Sequence, residues 1–130
     1  MNEEGIGRLG SEYRFERRLG GSSGEEVWLA RDLALDRLVI LRTFPIDGGA
    51  VPKALTRLAG TLSRLNHPNI VTVHRAESDT TPPYVVMEYL PGESLAARLA
   101  NGPLSVTEVI RLGDDLLGAL AAVHGAGIVH

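Results

Sequence analysis

The chain has 130 residues, 44% of them hydrophobic and 22% charged, with a formal net charge of −3, a balance that suits one small globular domain or part of a larger one. It has no cysteine, which excludes disulfides, thiolate metal sites and cysteine nucleophiles. No apolar run approaches the roughly 18 residues of a membrane span, no basic block offers a footprint for nucleic acid or an anionic membrane, and the polar, Gly-rich start lacks the apolar core of a signal peptide, so a cytoplasmic segment is expected.

In chain order, a flexible tail is expected over 1–12. The run Tyr13 to Leu19 has strand character and ends in Gly20-Gly21-Ser22-Ser23-Gly24. Val27 to Ala30 is a second short strand, so glycines and serines join two strands in a hairpin. Leu38 to Phe44 is a third, rich in large and β-branched residues, broken by Pro45 and Asp47-Gly48-Gly49. A helix follows: Pro52 suits a first turn, and Leu55, Leu58, Leu62 and Leu65 recur at spacings of three and four. Pro68 stops it. Ile70 to Val73 and Tyr84 to Glu88 are predicted strands around a turn-rich stretch, Ser78 to Pro83. A short helix is predicted from Ser94 to Ala100. A longer one opens at Ser105, where Ser105 to Glu108 form a capping box, carries Val109, Leu112, Leu116, Leu120 and Val123 on one face, and ends at Gly125 and Gly127.

Three stretches carry a family resemblance. His67-Pro68-Asn69-Ile70-Val71 is similar to the helix-to-strand corner of protein kinases. Val85-Val86-Met87-Glu88-Tyr89-Leu90-Pro91-Gly92-Glu93-Ser94-Leu95 resembles their fifth strand, hinge and following helix. His124-Gly125-Ala126-Gly127-Ile128-Val129-His130 resembles the approach to the catalytic loop, with His130 as the histidine of His-Arg-Asp. Together they resemble bacterial serine/threonine kinases of the eukaryotic-like type. The resemblance implies an α+β fold: a kinase N-lobe with a five-stranded antiparallel sheet and one helix, then the first two helices of a C-lobe truncated at the catalytic loop. It implies an N-lobe and hinge over 13–90 and the start of a C-lobe over 91–130.

The same resemblance implies where ATP and magnesium would act. A kinase holds phosphates under a loop G-x-G-x-x-G-x-V, whose glycines let backbone N–H groups approach the oxygens. With Val27 as its valine, Gly20 takes the first glycine position, Ser22 the second and Glu25 the third, while Gly21 and Gly24 are out of phase; Leu19 flanks the loop. Serine can still donate a hydrogen bond, whereas Glu25 and Glu26 would repel phosphate. A plain Gly-rich hairpin turn is the competing reading. Aligning Val39-Ile40-Leu41-Arg42 with V-A-I-K puts Arg42 where the phosphate-contacting lysine belongs, a substitution that keeps charge but not geometry. Lys53, the one lysine, lies at the start of the helix. Ile40 replaces a small alanine above the adenine ring. The carboxylate that should pair with the lysine falls on Leu58, and no acidic residue occurs between Pro52 and Asn66.

The hinge is in better order: Met87 is the implied gatekeeper, with the Glu88 carbonyl and the Leu90 N–H as adenine contacts. Leu62, Val73 and His130 fall where the family stacks its regulatory spine. His67, His74, His124 and His130 show no metal-ligand spacing. The base aspartate and the magnesium ligands would follow His130, so this chain alone is expected to be inactive and to bind nucleotide weakly. Two functions remain open. One is a piece of a kinase that phosphorylates protein hydroxyls with Mg-ATP. The other is a pseudokinase, a regulatory module that binds a protein partner; a degenerate fragment with no function is the third reading. Neither implies nucleic acid or, in this segment, a membrane.

Overall fold

The computed structural model describes residues 9–21, 24–45 and 51–129, with the backbone alone over 51–56. Ser22, the Asp47-Gly48-Gly49 break and His130 lie outside the described residues, as do the side chains of Lys53 and Leu55. The chain divides into two units, one made of 1–64 with 72–89 and the other of 65–71 with 90–130.

The first unit is a five-stranded sheet in the order β1-β2-β3-β5-β4, antiparallel throughout. Its strands are β1 (Tyr13–Gly20), β2 (Glu26–Asp32), β3 (Arg37–Thr43), β4 (Val73–Glu77) and β5 (Tyr84–Glu88), with helix α1 (Val51–Arg64) between β3 and β4. Asp32 makes the β2–β3 turn by accepting hydrogen bonds on Oδ1 from the N–H groups of Ala34 (3.0 Å) and Leu35 (3.2 Å), the local bonding that makes aspartate a turn residue. Asp36 completes the turn with a φ of 48°, a conformation aspartate tolerates.

Side chains alternate across the sheet, so each face has its own core. One cluster joins Leu9, Tyr13, Ala30, Val39, Leu41, Tyr84 and Val86. The other joins Phe44 and Ala59 of α1 to Val73 and Val85, with Leu62 and Met87 packed against it. Residues 9–12, expected as the end of a flexible tail, form a helical turn, because Leu9 finds an apolar seat beside Tyr13 and Tyr84 and is 4% exposed.

One strand differs from expectation. The predicted Ile70 to Val73 is replaced by β4, Val73–Glu77. Ile70 instead belongs to the second unit, where its N–H donates to the His67 carbonyl at 3.2 Å, the Asn69 N–H donates to His67 Nδ1 at 3.1 Å, and Asn69 Nδ2 donates to the Asp115 carbonyl at 3.2 Å. β4 is an edge strand, which lets it carry His74, Arg75 and Glu77 on half-exposed positions. That polarity hid it from a search for apolar runs.

The second unit contains α2 (Leu95–Ala100) and α3 (Val106–Gly125). Ser94 caps α2, and Ser105 with Glu108 forms the complete capping box of α3. The backbone N–H of Ser105, donating to Glu108 Oε2 at 2.7 Å, holds that carboxyl below the usual carboxylate range. The α3 face is open: Val109, Ile110, Leu116 and Leu117 are all exposed, Ile110 by 67%.

Two predictions follow from these packings. Leu41 is 0% exposed, so Leu41→Ala is expected to cost about 2–5 kcal/mol in urea unfolding, against a smaller loss for Leu38→Ala on the half-buried face. An exposed apolar face of this size promotes association; the chain alone should scatter light as oligomers, and Ile110→Glu with Leu117→Glu should return it toward a monomer.

Candidate functional site

The register of the sheet decides which candidate residues share a face. Val27 stands opposite Arg42 and Leu29 opposite Ile40. Ile40 in turn stands opposite Met87, and Arg42 opposite Val85. Directly opposed residues point the same way, so Val27, Ile40, Arg42 and Met87 lie on one face of the sheet, the face that also receives α1 through Val85 and Met87. Ile40 is half-buried between Leu29 and Met87.

The β1–β2 hairpin lies at the Arg42 end of that face, since Val27 pairs with both Gly20 and Arg42. Gly20 pairs with Val27, and a register shift between Arg18 and Gly20 leaves Leu19 in a bulge, exposed. The glycines differ in what holds them. A Cβ on Gly20 would meet nothing within 4 Å. Gly21 has a φ of +129°, and a Cβ there would sit 2.0 Å from the Glu25 carbonyl oxygen. Gly24 has a φ of +84°, and its Cβ would come within 2.9 Å of Pro45. Gly21 is therefore demanded by the hairpin's own backbone and Gly24 by its left-handed φ and the Pro45 ring, while Gly20 opens on free space.

Sequence reasoning missed what Glu25 does. Arg42 Nε donates to Glu25 Oε1, and Arg42 Nη2 reaches the same oxygen as an ion pair. The Phe44 ring lies 5.7 Å from the guanidinium carbon, within cation–π range. The signal was present: Glu25 precedes Val27 by two, and period-2 alternation puts it on the face of Val27's partner, Arg42. Glu26 points elsewhere and accepts from Trp28 Nε1 at 3.2 Å. Leu58 stands on α1, 40% exposed, and Ala59 is the residue that buries against the sheet. The expected leucine stripe is thus carried in part by an alanine.

At the end of β5, the Glu88 N–H donates to the Thr72 carbonyl at 2.8 Å, and Glu88 Oε2 accepts from the Thr72 N–H at 3.2 Å. Leu90 belongs to the second unit and is exposed.

Beside the β2–β3 turn the first unit has a cavity of about 490 Å³, and the charges around it stand in opposite-sign pairs. Asp32 Oδ2 faces Arg37 Nε at 3.6 Å. Arg75 pairs with Glu12 at 3.1 Å and Glu77 at 2.8 Å. His74, also on the wall, has its pKa lowered, first by burial and then by Arg37. Such internally paired charges read as structure. Among the described residues no group of three or more His, Asp or Glu is arranged to hold a metal, and no helix is long and apolar enough to cross a membrane.

The family model for the protein kinase domain matches residues 13–130. This chain belongs to the protein kinase domain family. The serine/threonine-protein kinase PrkC of Bacillus subtilis is 33% identical to it over 95% of this chain and 20% of that protein. The serine/threonine-protein kinase pkn3 of Myxococcus xanthus is 33% identical over 98% of this chain and 24% of its own length. The crystal structure of the Mycobacterium tuberculosis PknI kinase domain superposes with a TM-score of 0.75 at 26% identity, covering 92% of this chain and 50% of that one. The kinase-domain segment seen here therefore spans about a fifth to a quarter of the length of these two bacterial kinases. The five-stranded antiparallel sheet and its helices are those of that fold.

The glycines of this kinase hairpin give a direct test. Gly21→Ala should destabilise the chain by more than about 1 kcal/mol, since a side chain there needs both a strained φ and an occupied volume. Gly20→Ala should shift the melting temperature by little. Equal losses at both positions would contradict the division of roles.

Proposed function

We propose that this chain contributes the nucleotide-facing lobe (13–90) and the first C-lobe helices (91–130) of a serine/threonine protein kinase domain in which the adenine end is kept and the phosphate grip is weakened. In the parent domain the chemistry is transfer of a phosphoryl group from Mg-ATP to a protein hydroxyl, and this use of ATP carries with it a cytoplasmic location. The net charge of −3 argues against nucleic acid as a partner.

One observation carries the proposal: Arg42 stands at the lysine position of β3 with no carboxylate from α1 to orient it, since Leu58 takes that place and the helix has no acidic residue. Catalysis of phosphoryl transfer rests on positioning and charge neutralisation. A guanidinium held by a different partner supplies the charge without the position. At the adenine end the contacts implied by the resemblance are the backbone groups of Glu88 and Leu90, which side-chain changes leave in place. Met87 beside them is packed into the core. Ile40 narrows the space that an alanine would leave over the base. The residues present thus fit adenine better than they fit the phosphates.

A second reading, a pseudokinase that binds a protein partner, draws on the same asymmetry. The departures at Glu25, Ile40, Arg42 and Leu58 touch the nucleotide machinery, while the sheet, the caps and the two cores are whole.

Thermal stability with nucleotide separates these cases from an ordinary kinase. A ligand at 100 times its Kd adds about 2.7 kcal/mol. With millimolar Mg-ATP we expect a stabilisation far below that, and recovery of a clear shift when Ile40→Ala, Arg42→Lys and Leu58→Glu are combined. A full shift in the unaltered chain would overturn the weakened grip.

A further inference from the structure

We propose that Glu25 is a built-in competitor for phosphate: its carboxylate holds the edge of the Arg42 guanidinium that a nucleotide's phosphates would need, so the hairpin loop itself limits how tightly the site takes a polyanion. This inference rests on the phosphate-grip reading above and names the group that sets its strength.

The geometry carries it in three steps. First, the contact uses the binding edge of the fork. Arg42 Nε and Nη2 both meet Glu25 Oε1, and the Nε–Nη2 edge is one of those by which arginine grips a phosphate or carboxylate. With the Phe44 ring 5.7 Å away, the guanidinium is held at one edge and against one ring.

Second, the loop is built to keep Glu25 there. Gly21, at φ +129°, leaves space over the Glu25 carbonyl for a hydrogen and nothing larger, so the hairpin closes onto the Glu25 backbone. Val27 opposite Arg42 fixes the register, and alternation then sends the Glu25 side chain toward the arginine. The neighbouring Glu26 is engaged by the indole of Trp28 and is not the rival.

Third, the pair is reversible. The Arg42 side chain is 45% exposed and that of Glu25 26%, so water and salt can compete for both. A half-solvated ion pair is weak, and it can yield to a ligand carrying several charges. Because the carboxylate comes from the loop that covers phosphates in this family, it also adds negative charge where negative charge would arrive.

The test measures affinity of the full chain for inorganic tripolyphosphate and for ATP by titration calorimetry, in low salt. Glu25→Gln should tighten tripolyphosphate binding roughly threefold to fivefold, and Arg42→Ala added to Glu25→Gln should remove the gain. Glu25→Ser, made in parallel, guards against a glutamine variant that misfolds, with circular dichroism as the check on both. Affinity that is unchanged, weaker or undetectable in these folded variants overturns the proposal, weaker binding meaning that Glu25 positions Arg42 for phosphate. A gain that survives loss of Arg42 also overturns it, as a general charge effect. The two readings fail separately: an unaltered chain that already binds ATP tightly sinks the weakened grip, whereas a weak chain left unchanged by Glu25→Gln sinks the competitor alone.

Discussion

Strand β3 is bonded on both sides, to β2 and to β5, and neither pairing contains a register shift. Partners run without interruption from Glu26↔Thr43 to Asp32↔Arg37 and from Val39↔Glu88 to Thr43↔Tyr84. An unbroken ladder enforces strict alternation. Val39, Leu41 and Thr43 face inward, all nearly without solvent contact, while Ile40 and Arg42 take the other face. A slip of one residue would exchange the two sets and put the Arg42 charge into an apolar core, at a cost far above what one surface ion pair returns. The position of the arginine is thus fixed by its neighbours' hydrophobicity and owes nothing to the arginine itself. Irregularity is confined to the outer pairings, at Phe15/Arg17 and Arg18/Gly20 in β1–β2 and at Val73/Arg75 in β4–β5, where little else depends on register.

Elements whose signal is local were legible in the sequence. The Ser105 capping box forms as its residues suggest, β5 spans Tyr84–Glu88 as its apolar run indicates, β2 extends slightly past its apolar run at either end, and β3 starts one residue before its run and ends one residue short of it. Elements whose reason is tertiary were not. β4 is polar because it is an edge, a fact about the sheet order. Leu9 is buried because Tyr13 and Tyr84 meet edge to face, ring centroids 6.3 Å apart, and leave an apolar seat beside them; nothing in 1–12 reports that seat. On α1, the leucine spacing marks a helix correctly, yet Ala59 buries against the sheet and Leu58 is 40% exposed.

The candidate site divides along the same line. That Val27, Ile40, Arg42 and Met87 share a face follows from strand alternation once the pairing is known, and the family resemblance supplies the pairing. The partner of Arg42 does not follow from resemblance at all, because the resemblance names a position on α1 that carries leucine. It follows from elementary electrostatics: a lone guanidinium beside a glutamate two residues before its cross-strand neighbour will close on it.

The contrast between scaffold and phosphate end has a thermodynamic basis. A buried apolar side chain such as Leu41 or Val39 contributes about 2–5 kcal/mol, a large share of the roughly 5–15 kcal/mol by which a whole domain is stable, so folding itself resists its replacement. An exposed lysine–glutamate pair contributes about 0–1 kcal/mol, and its loss costs the fold almost nothing. Only a requirement to hold phosphate would keep such a pair in place. The exposed charge of Arg42 still needs a counter-ion, and among the described residues Glu25 of the hairpin supplies it. The Glu25–Arg42 contact therefore leaves the scaffold untouched: the sheet keeps the register its apolar contacts dictate, and the cation is satisfied from the end of the hairpin.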